Sequence, residues 1–178
     1  MKRIELSQKQ QKIVYTILLL FVFLSYFDAV LDVTLFKYVP ITQIFSADRY
    51  RVDSLNLIPF ADWNVDRSGM VRDVLLNGIL FFPFGFLIQM GLQKNRLCWL
   101  SVLIPLTCSL LIEVLQYVYQ LGVSDITDLI SNTIGALCGA TVYLLFNAIF
   151  KQHKTKFNKV LLVLLLLIAL FNFCLSFS

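Results

Sequence analysis

Five stretches of this chain run apolar for so long that no polar face interrupts them: Ile13–Phe36, Val74–Leu92, Leu97–Tyr119, Leu129–Phe150 and Val160–Phe177. A helix needs about 20 residues to cross the hydrocarbon of a bilayer. Each stretch therefore predicts a spanning helix, and the fold class expected is an all-α polytopic membrane bundle of about five transmembrane helices. The first stretch is too long for a signal peptide, and the "FKYVP" that follows offers no small-residue cleavage site. It is expected to stay as a helix. Residues 1–178 leave no room for a separate soluble domain, so one transmembrane domain is expected.

Composition agrees, with 58% hydrophobic and only 15% charged residues. The net charge of +4 does not point to nucleic acid, because the bases cluster beside the apolar runs. Ten of the fifteen Lys and Arg fall in three short segments: Lys2, Arg3, Lys9 and Lys12; Lys94 and Arg96; Lys151, Lys154, Lys156 and Lys159. These segments alternate correctly for one side of the membrane. The positive-inside rule then puts the N-terminus in the cytoplasm and the C-terminus outside. The other five bases, Lys37, Arg49, Arg51, Arg67 and Arg72, share the first loop with Asp48, Asp53, Asp62, Asp66 and Asp73 and are neutralised there.

That topology gathers the acids into one layer near the outside. Asp28 and Asp32 fall in the outward half of span one, Glu113 in that of span three, and Asp125 and Asp128 at the turn before span four. A charged group against lipid costs roughly 2.5–3.5 kcal/mol on insertion scales, so Asp28, Asp32 and Glu113 are expected to face the bundle interior. Asp28 and Asp32 are about 40° apart on one helix face, and Glu113, Gln116, Tyr117 and Gln120 share another. Asp125, Asp128, Asn132, Gly135 and Gly139 fall within about 80° if the fourth helix begins near Asp125. Asp73 and Asn77 form a further stripe beneath Arg72, the nearest cation. Two readings follow. In one, these groups hydrogen-bond one another and only fix the packing. In the other, they line a solvated outward-facing cavity in which Arg72 counters part of the charge and Glu113 is poised for protonation.

Other signals are structural. Gly135 and Gly139 in "GALCG" have the spacing of a close helix contact. Pro83 and Pro105 are expected to kink spans two and three. The last helix, 160–177, has no polar stripe except Asn172 and is expected at the lipid-facing periphery. "DSLNLIPF", Asp53–Phe60, is expected either to fold back on the membrane surface or over the cavity, or to act as an ordinary loop anchor. Cys98, Cys108, Cys138 and Cys174 lie in apolar runs and are expected as buried thiols. His153 stands alone in "KQHKTK", so no metal site is expected there. Asp125, Asp128 and Asn132 are hard oxygen donors, but three are too few for Ca²⁺ or Mg²⁺. No catalytic triad, Walker loop or dinucleotide fingerprint is present, and no cofactor is expected.

The motifs "SLNLIPF", "RDVLLNGILFFPFGFL" and "SLLIEVLQYVYQLGVSDITDLISNTIGALCGA", in this order and spacing, resemble the VanZ family of bacterial membrane proteins. The likeness carries from about Ser54 to Ala140, with spans one and five matching only in hydropathy. The resemblance implies a multi-pass plasma-membrane protein of Gram-positive bacteria that lowers susceptibility to teicoplanin and similar lipoglycopeptide antibiotics. It puts shared positions on Asn56, Pro59, Phe60, Asn77, Pro83, Gly85, Glu113, Gln116, Asp125, Asp128, Asn132 and Gly135. Depth and resemblance together nominate Asn77, Arg72, Asp73, Glu113, Gln116, Asp125, Asp128 and Asn132 as binding residues. The expected partner is a membrane lipid, a lipid-linked cell-wall precursor or the drug. Two other classes stay open. One is a membrane-embedded enzyme using Glu113, Asp125 and Asp128 as acid and base, and the other is a proton-coupled transporter using Glu113.

Overall fold

The computed structural model describes residues 7–36, 38–46, 48, 51, 54–92, 98–150, 158, 161–163 and 165–166. Among them, four helices are long and apolar enough to cross a membrane. They are α1 (Gln8–Thr34), α2 (Arg67–Leu92), α3 (Leu100–Tyr119) and α4 (Ile126–Ile149), and the chain is an all-α membrane bundle. They match the first four apolar windows, except that α1 starts more than one turn early and α2 about two turns early. Its polar first turns, Arg67–Asp73, extend past the apolar part. The fifth window lies mostly outside the described residues, as do His153 and Cys174. At its described beginning Leu162 is buried with Leu19, Val22, Leu87, Met90 and Tyr143, while Val163 is exposed. Asn158 donates from Nδ2 to the Tyr143 hydroxyl at 3.1 Å.

α1 opens on a capping box. Ser7 Oγ accepts from the Gln10 backbone N–H, and the Gln10 side chain accepts from that of Ser7. It packs on α2 through Phe23, Tyr26 and Phe27 against Phe84. The Tyr26 hydroxyl donates to the Leu80 carbonyl, one residue past the Ile79 carbonyl whose helical donor Pro83 removes.

α2 and α4 form the most extensive contact, and glycine makes it possible. A Cβ built on Gly85 would stand 1.9 Å from the Ala136 carbonyl oxygen, one on Gly135 2.2 Å from that of Gly78, and one on Gly139 1.9 Å from that of Phe82. The two backbones therefore touch over about two turns of α2, from Gly78 to Gly85, an approach that only glycine allows. Wherever a glycine faces the membrane side of this seam, a furrow is left.

Gln89, near the α3 end of α2, is fully buried, and neither its amide oxygen nor its nitrogen has a hydrogen-bond partner. An unpaired buried amide costs about 1–3 kcal/mol. Gln89→Met keeps the length and removes both orphans, so it is expected to raise the unfolding midpoint in mild detergent. A lowered midpoint would show that the amide is paired in the folded bundle.

Two short strands close one end of the bundle. β1 (Ser54–Asn56) pairs in parallel with β2 (Val123–Asp125), Leu55 opposite Ser124 and Asn56 opposite Asp125. Neither was expected from the apolar pattern. At this strand end the Gln116 Nε2 donates to the Thr34 carbonyl at 3.2 Å, tying the end of α3 to the end of α1. The C-termini of α1 and α3 and the N-termini of α2 and α4 meet here.

Candidate functional site

The strand end is assembled around Asp125. This residue is the N-cap of α4, its Oδ1 accepting from the Thr127 N–H at 2.7 Å. Its Oδ2 accepts from Asn56 Nδ2 at 2.9 Å, and Asn56 Oδ1 in turn accepts from the Ile58 N–H at 3.2 Å. Its own N–H donates to Glu113 Oε2 at 2.8 Å. A second thread runs from the Phe60 N–H to Thr127 Oγ1 at 3.0 Å, with Phe60 held at a left-handed φ of 57°. The segment "SLNLIPF" is thus an anchor sewn to the α3–α4 turn. Its Leu55, Leu57, Ile58 and Phe60 side chains remain exposed.

The other nominated residues divide between two surroundings. Glu113, Gln116 and Asn132 are buried, at 7%, 7% and 3% exposure. Asn132 Nδ2 donates to Ser109 Oγ at 2.9 Å, while Asn132 Oδ1 and Gln116 Oε1 are buried without a partner. Asn77 is half-buried one turn above Phe81. Glu113 also borders a mostly apolar hollow of ≈ 190 Å³, roofed by Leu55 and Leu57. Glu113, Gln116 and Asn132 thus each bond to a separate partner, the Asp125 N–H, the Thr34 carbonyl and Ser109, and none of the three borders the acidic cleft described next.

Asp73, Asp125 and Asp128 instead border a separate cleft of ≈ 120 Å³ with Asp62, Asp66, Gly69, Met70 and Thr127. Five carboxylates face this space. Asp66 Oδ1 accepts from the Gly69 N–H at 2.9 Å and from Ser68 Oγ at 3.0 Å. The Gly69 bond first, and the Ser68 bond second, hold its carboxyl below the usual range, so it is ionised at neutral pH. Arg67 stacks over the Trp63 ring at 4.5 Å and is not among the described lining residues.

Several expectations need correction. Arg72 is exposed and is not among the described residues that border the cleft. Asp28 and Asp32 do not point into the bundle: both are exposed, because the inward side of α1 is filled by Val22, Val30 and the aromatic seam. Their place near the end of α1 lets them reach headgroup level. Gln120 has left the polar face of α3. It lies past the helix end at φ 52°, where its N–H and that of Leu121 close the last turn on Tyr117 and Gln116. Cys98 and Cys138 are exposed and Cys108 is half-buried; in a bilayer the outer surface of a bundle is itself apolar, so an apolar run does not imply an interior thiol. The prolines need no such revision: Pro83 and Pro105 stand inside α2 and α3, where the kinks are expected, and Pro105 is buried.

The sequence reading missed Thr127, Ser109, Asp62 and Asp66. Ser109 was within reach, since it precedes Glu113 by one turn on the same stripe. Thr127 carried a signal in "SDIT", the start of a capped helix. Asp62 and Asp66 join the site only because the loop is sewn down.

Comparison with known proteins agrees with this architecture. No solved structure matches the chain. The chain is 34% identical over 130 residues to Protein VanZ of Enterococcus faecium, covering 71% of this chain and 77% of that protein. The family model VanZ/LLP1 matches residues 12–151. That match takes in α1, which the sequence motifs had left outside. The described helices, the sewn strand end and these likenesses together make this a multi-pass bacterial membrane protein that belongs to the VanZ/LLP1 family.

Proposed function

We propose that this protein is an accessory membrane protein that lowers susceptibility to teicoplanin-type lipoglycopeptides by binding an amphiphile at its strand end. The ligand is a membrane lipid, a lipid-linked wall precursor or the drug itself. The strand end then faces outward, as the distribution of Lys and Arg has it. The observation that carries the reading is the acidic cleft bordered by Asp62, Asp66, Asp73, Asp125 and Asp128, in which hydrogen bonds fix the Asp66 and Asp125 carboxylates.

The enzyme reading is favoured less, for a specific reason. Glu113 and Asp125 both hold backbone N–H groups in place, and Asp125 also holds Asn56. A general acid or base needs its oxygen available to substrate. Glu113→Gln separates the readings, because the amide oxygen can still accept from the Asp125 N–H while titration is abolished. Expressed in a teicoplanin-susceptible Gram-positive host, the wild-type chain is expected to raise the inhibitory concentration of teicoplanin, and Glu113→Gln is expected to keep most of that increase. A Glu113→Gln variant that reaches the membrane at wild-type level but protects no better than empty vector would favour acid–base chemistry or proton coupling. No protection by the wild type would end the proposal.

A further inference from the structure

A furrow of ≈ 530 Å³ runs down the membrane side of the α2/α4 seam, bordered by Val74, Leu75, Gly78, Ile79, Phe82 and Pro83 from α2 and by Ser131, Ile134, Gly135 and Cys138 from α4. Its walls are almost wholly apolar. Gly78 and Gly135 bring the two backbones together there and supply no side chain to fill the gap. Along α2 it extends from Val74 to Pro83, about 14 Å at 1.5 Å per residue. Leu75, Ile79 and Ile134 on its rim are exposed, so it opens sideways to acyl chains.

The furrow does not stop at an arbitrary point. Val74 borders both the furrow and the acidic cleft, and α2 and α4 contribute to both, the preceding Ala61, Asp62 and Asp66 closing the cleft. Gly69 and Asp73 continue the α2 wall upward, with Asp66 just before the helix, and Asp125 and Asp128 continue that of α4. A chain-length apolar slot therefore leads into a negatively charged head space. The described cleft lining holds no Lys or Arg, and Asp66 is kept ionised by its hydrogen bonds to Gly69 and Ser68.

The carboxylates also do not converge on a point. Among the described residues, no three of His, Cys, Asp or Glu come together as a metal-binding group. A compact divalent ion needs such convergence, whereas an organic ammonium group is satisfied by negative charge spread around it.

We propose that the furrow and cleft form one binding site for a membrane lipid whose headgroup carries net positive charge, one acyl chain lying along Gly78 and Gly135 and the ammonium among Asp62, Asp66, Asp73 and Asp128. This rests on the reading that the strand end binds an amphiphile, and it names the ligand's charge and its seat. Both halves are needed: the furrow accepts any chain, and the cleft selects the head.

The test uses the full chain in phosphatidylcholine vesicles containing chain-spin-labelled lipids with identical tails. The labelled lipids carry a trimethylammonium, a phosphocholine or a phosphoglycerol head. Electron spin resonance reports the fraction of each that is motionally restricted by the protein. The ammonium lipid is expected to be retained over the phosphocholine lipid by roughly fivefold, the effect of about 1 kcal/mol of charge attraction, with the anionic lipid retained least. Asp73→Asn combined with Asp128→Asn is expected to remove the preference. Ile79→Trp, at an exposed rim position, is expected to reduce retention of the ammonium lipid by blocking the slot while leaving the fold intact. Equal retention of the three lipids, or an undiminished preference in the double variant, overturns the proposal. Because this readout needs no antibiotic, a positive lipid preference without any change in teicoplanin susceptibility would sink the resistance reading alone.

Discussion

Replacing Gly139 by alanine lowers the stability of the bundle by about 3 kcal/mol, the upper part of the range for overpacked sites. The added carbon would lie 1.9 Å from the Phe82 carbonyl oxygen, a backbone atom that cannot rotate away. α2 and α4 must then part along the seam, and the contacts on either side of Gly139 weaken together. Within a bilayer, packing of this kind supplies much of the association between helices, so no water-driven term makes up the loss. Gly85→Ala, with its carbon 1.9 Å from the Ala136 carbonyl oxygen, is expected to behave alike. Gly78→Ala provides the contrast: its carbon would meet only the Ser131 carbonyl oxygen at 3.8 Å, an ordinary contact. Thermal unfolding of the purified chain in mild detergent should rank Gly78→Ala near wild type and the other two far below. If all three unfold together, the seam is not as close as described.

The second large effect is expected at Asp125. Asp125→Ala removes the N-cap of α4, worth about 0.5–2 kcal/mol, and strands the partly buried Asn56 amide that donates to Oδ2. A loss of about 2 kcal/mol follows, and β1 and the Asn56–Phe60 turn come free of the α3–α4 turn. Hydrogen exchange at Ile58 and Phe60 should rise, since their N–H groups are held by Asn56 Oδ1 and Thr127 Oγ1. The exchanged pair is the sharper probe. With Asn56→Asp and Asp125→Asn together, the amide now at position 125 can still cap Thr127 through its oxygen and donate its N–H to the carboxylate now at position 56. That carboxylate can still accept from Ile58. The double variant is therefore expected to recover most of the protection that Asp125→Asn alone loses. Failure to recover would mean that the negative charge of Asp125 in the cleft, and not its place in the frame, is what position 125 supplies.

The same residues show how far the sequence could be read. The four spans and the all-α membrane class follow from apolar runs long enough to cross a bilayer, and no tertiary information is needed for that. The family was legible because Asn56, Glu113, Asp125 and Asn132 keep a distinctive order. What these residues do was harder to see. A carboxylate in an apolar helix reads as chemistry or as packing with equal right until its partner is known, and the partner of Glu113 is a backbone N–H twelve residues away in a turn.

The linear pattern also misplaced groups whose helix face it could assign but whose neighbour it could not. Asp28 and Asp32 do share one face of α1, but that face points out, because the aromatic side of the helix is taken by Phe84 and Phe81. Asp62 and Asp66 looked like ordinary loop acids until Phe60 was tied to Thr127.

The amino-acid order by itself thus determined the spans, their number among the described residues and the concentration of acids toward one end, since hydrocarbon thickness and charge cost act on each segment separately. Tertiary structure alone decided that β1 joins β2 and that glycines bring α2 and α4 into backbone contact. It also decided that five carboxylates border one cleft next to an apolar furrow. Those outcomes depend on distances between segments far apart in the chain, and such distances are set only when the helices pack.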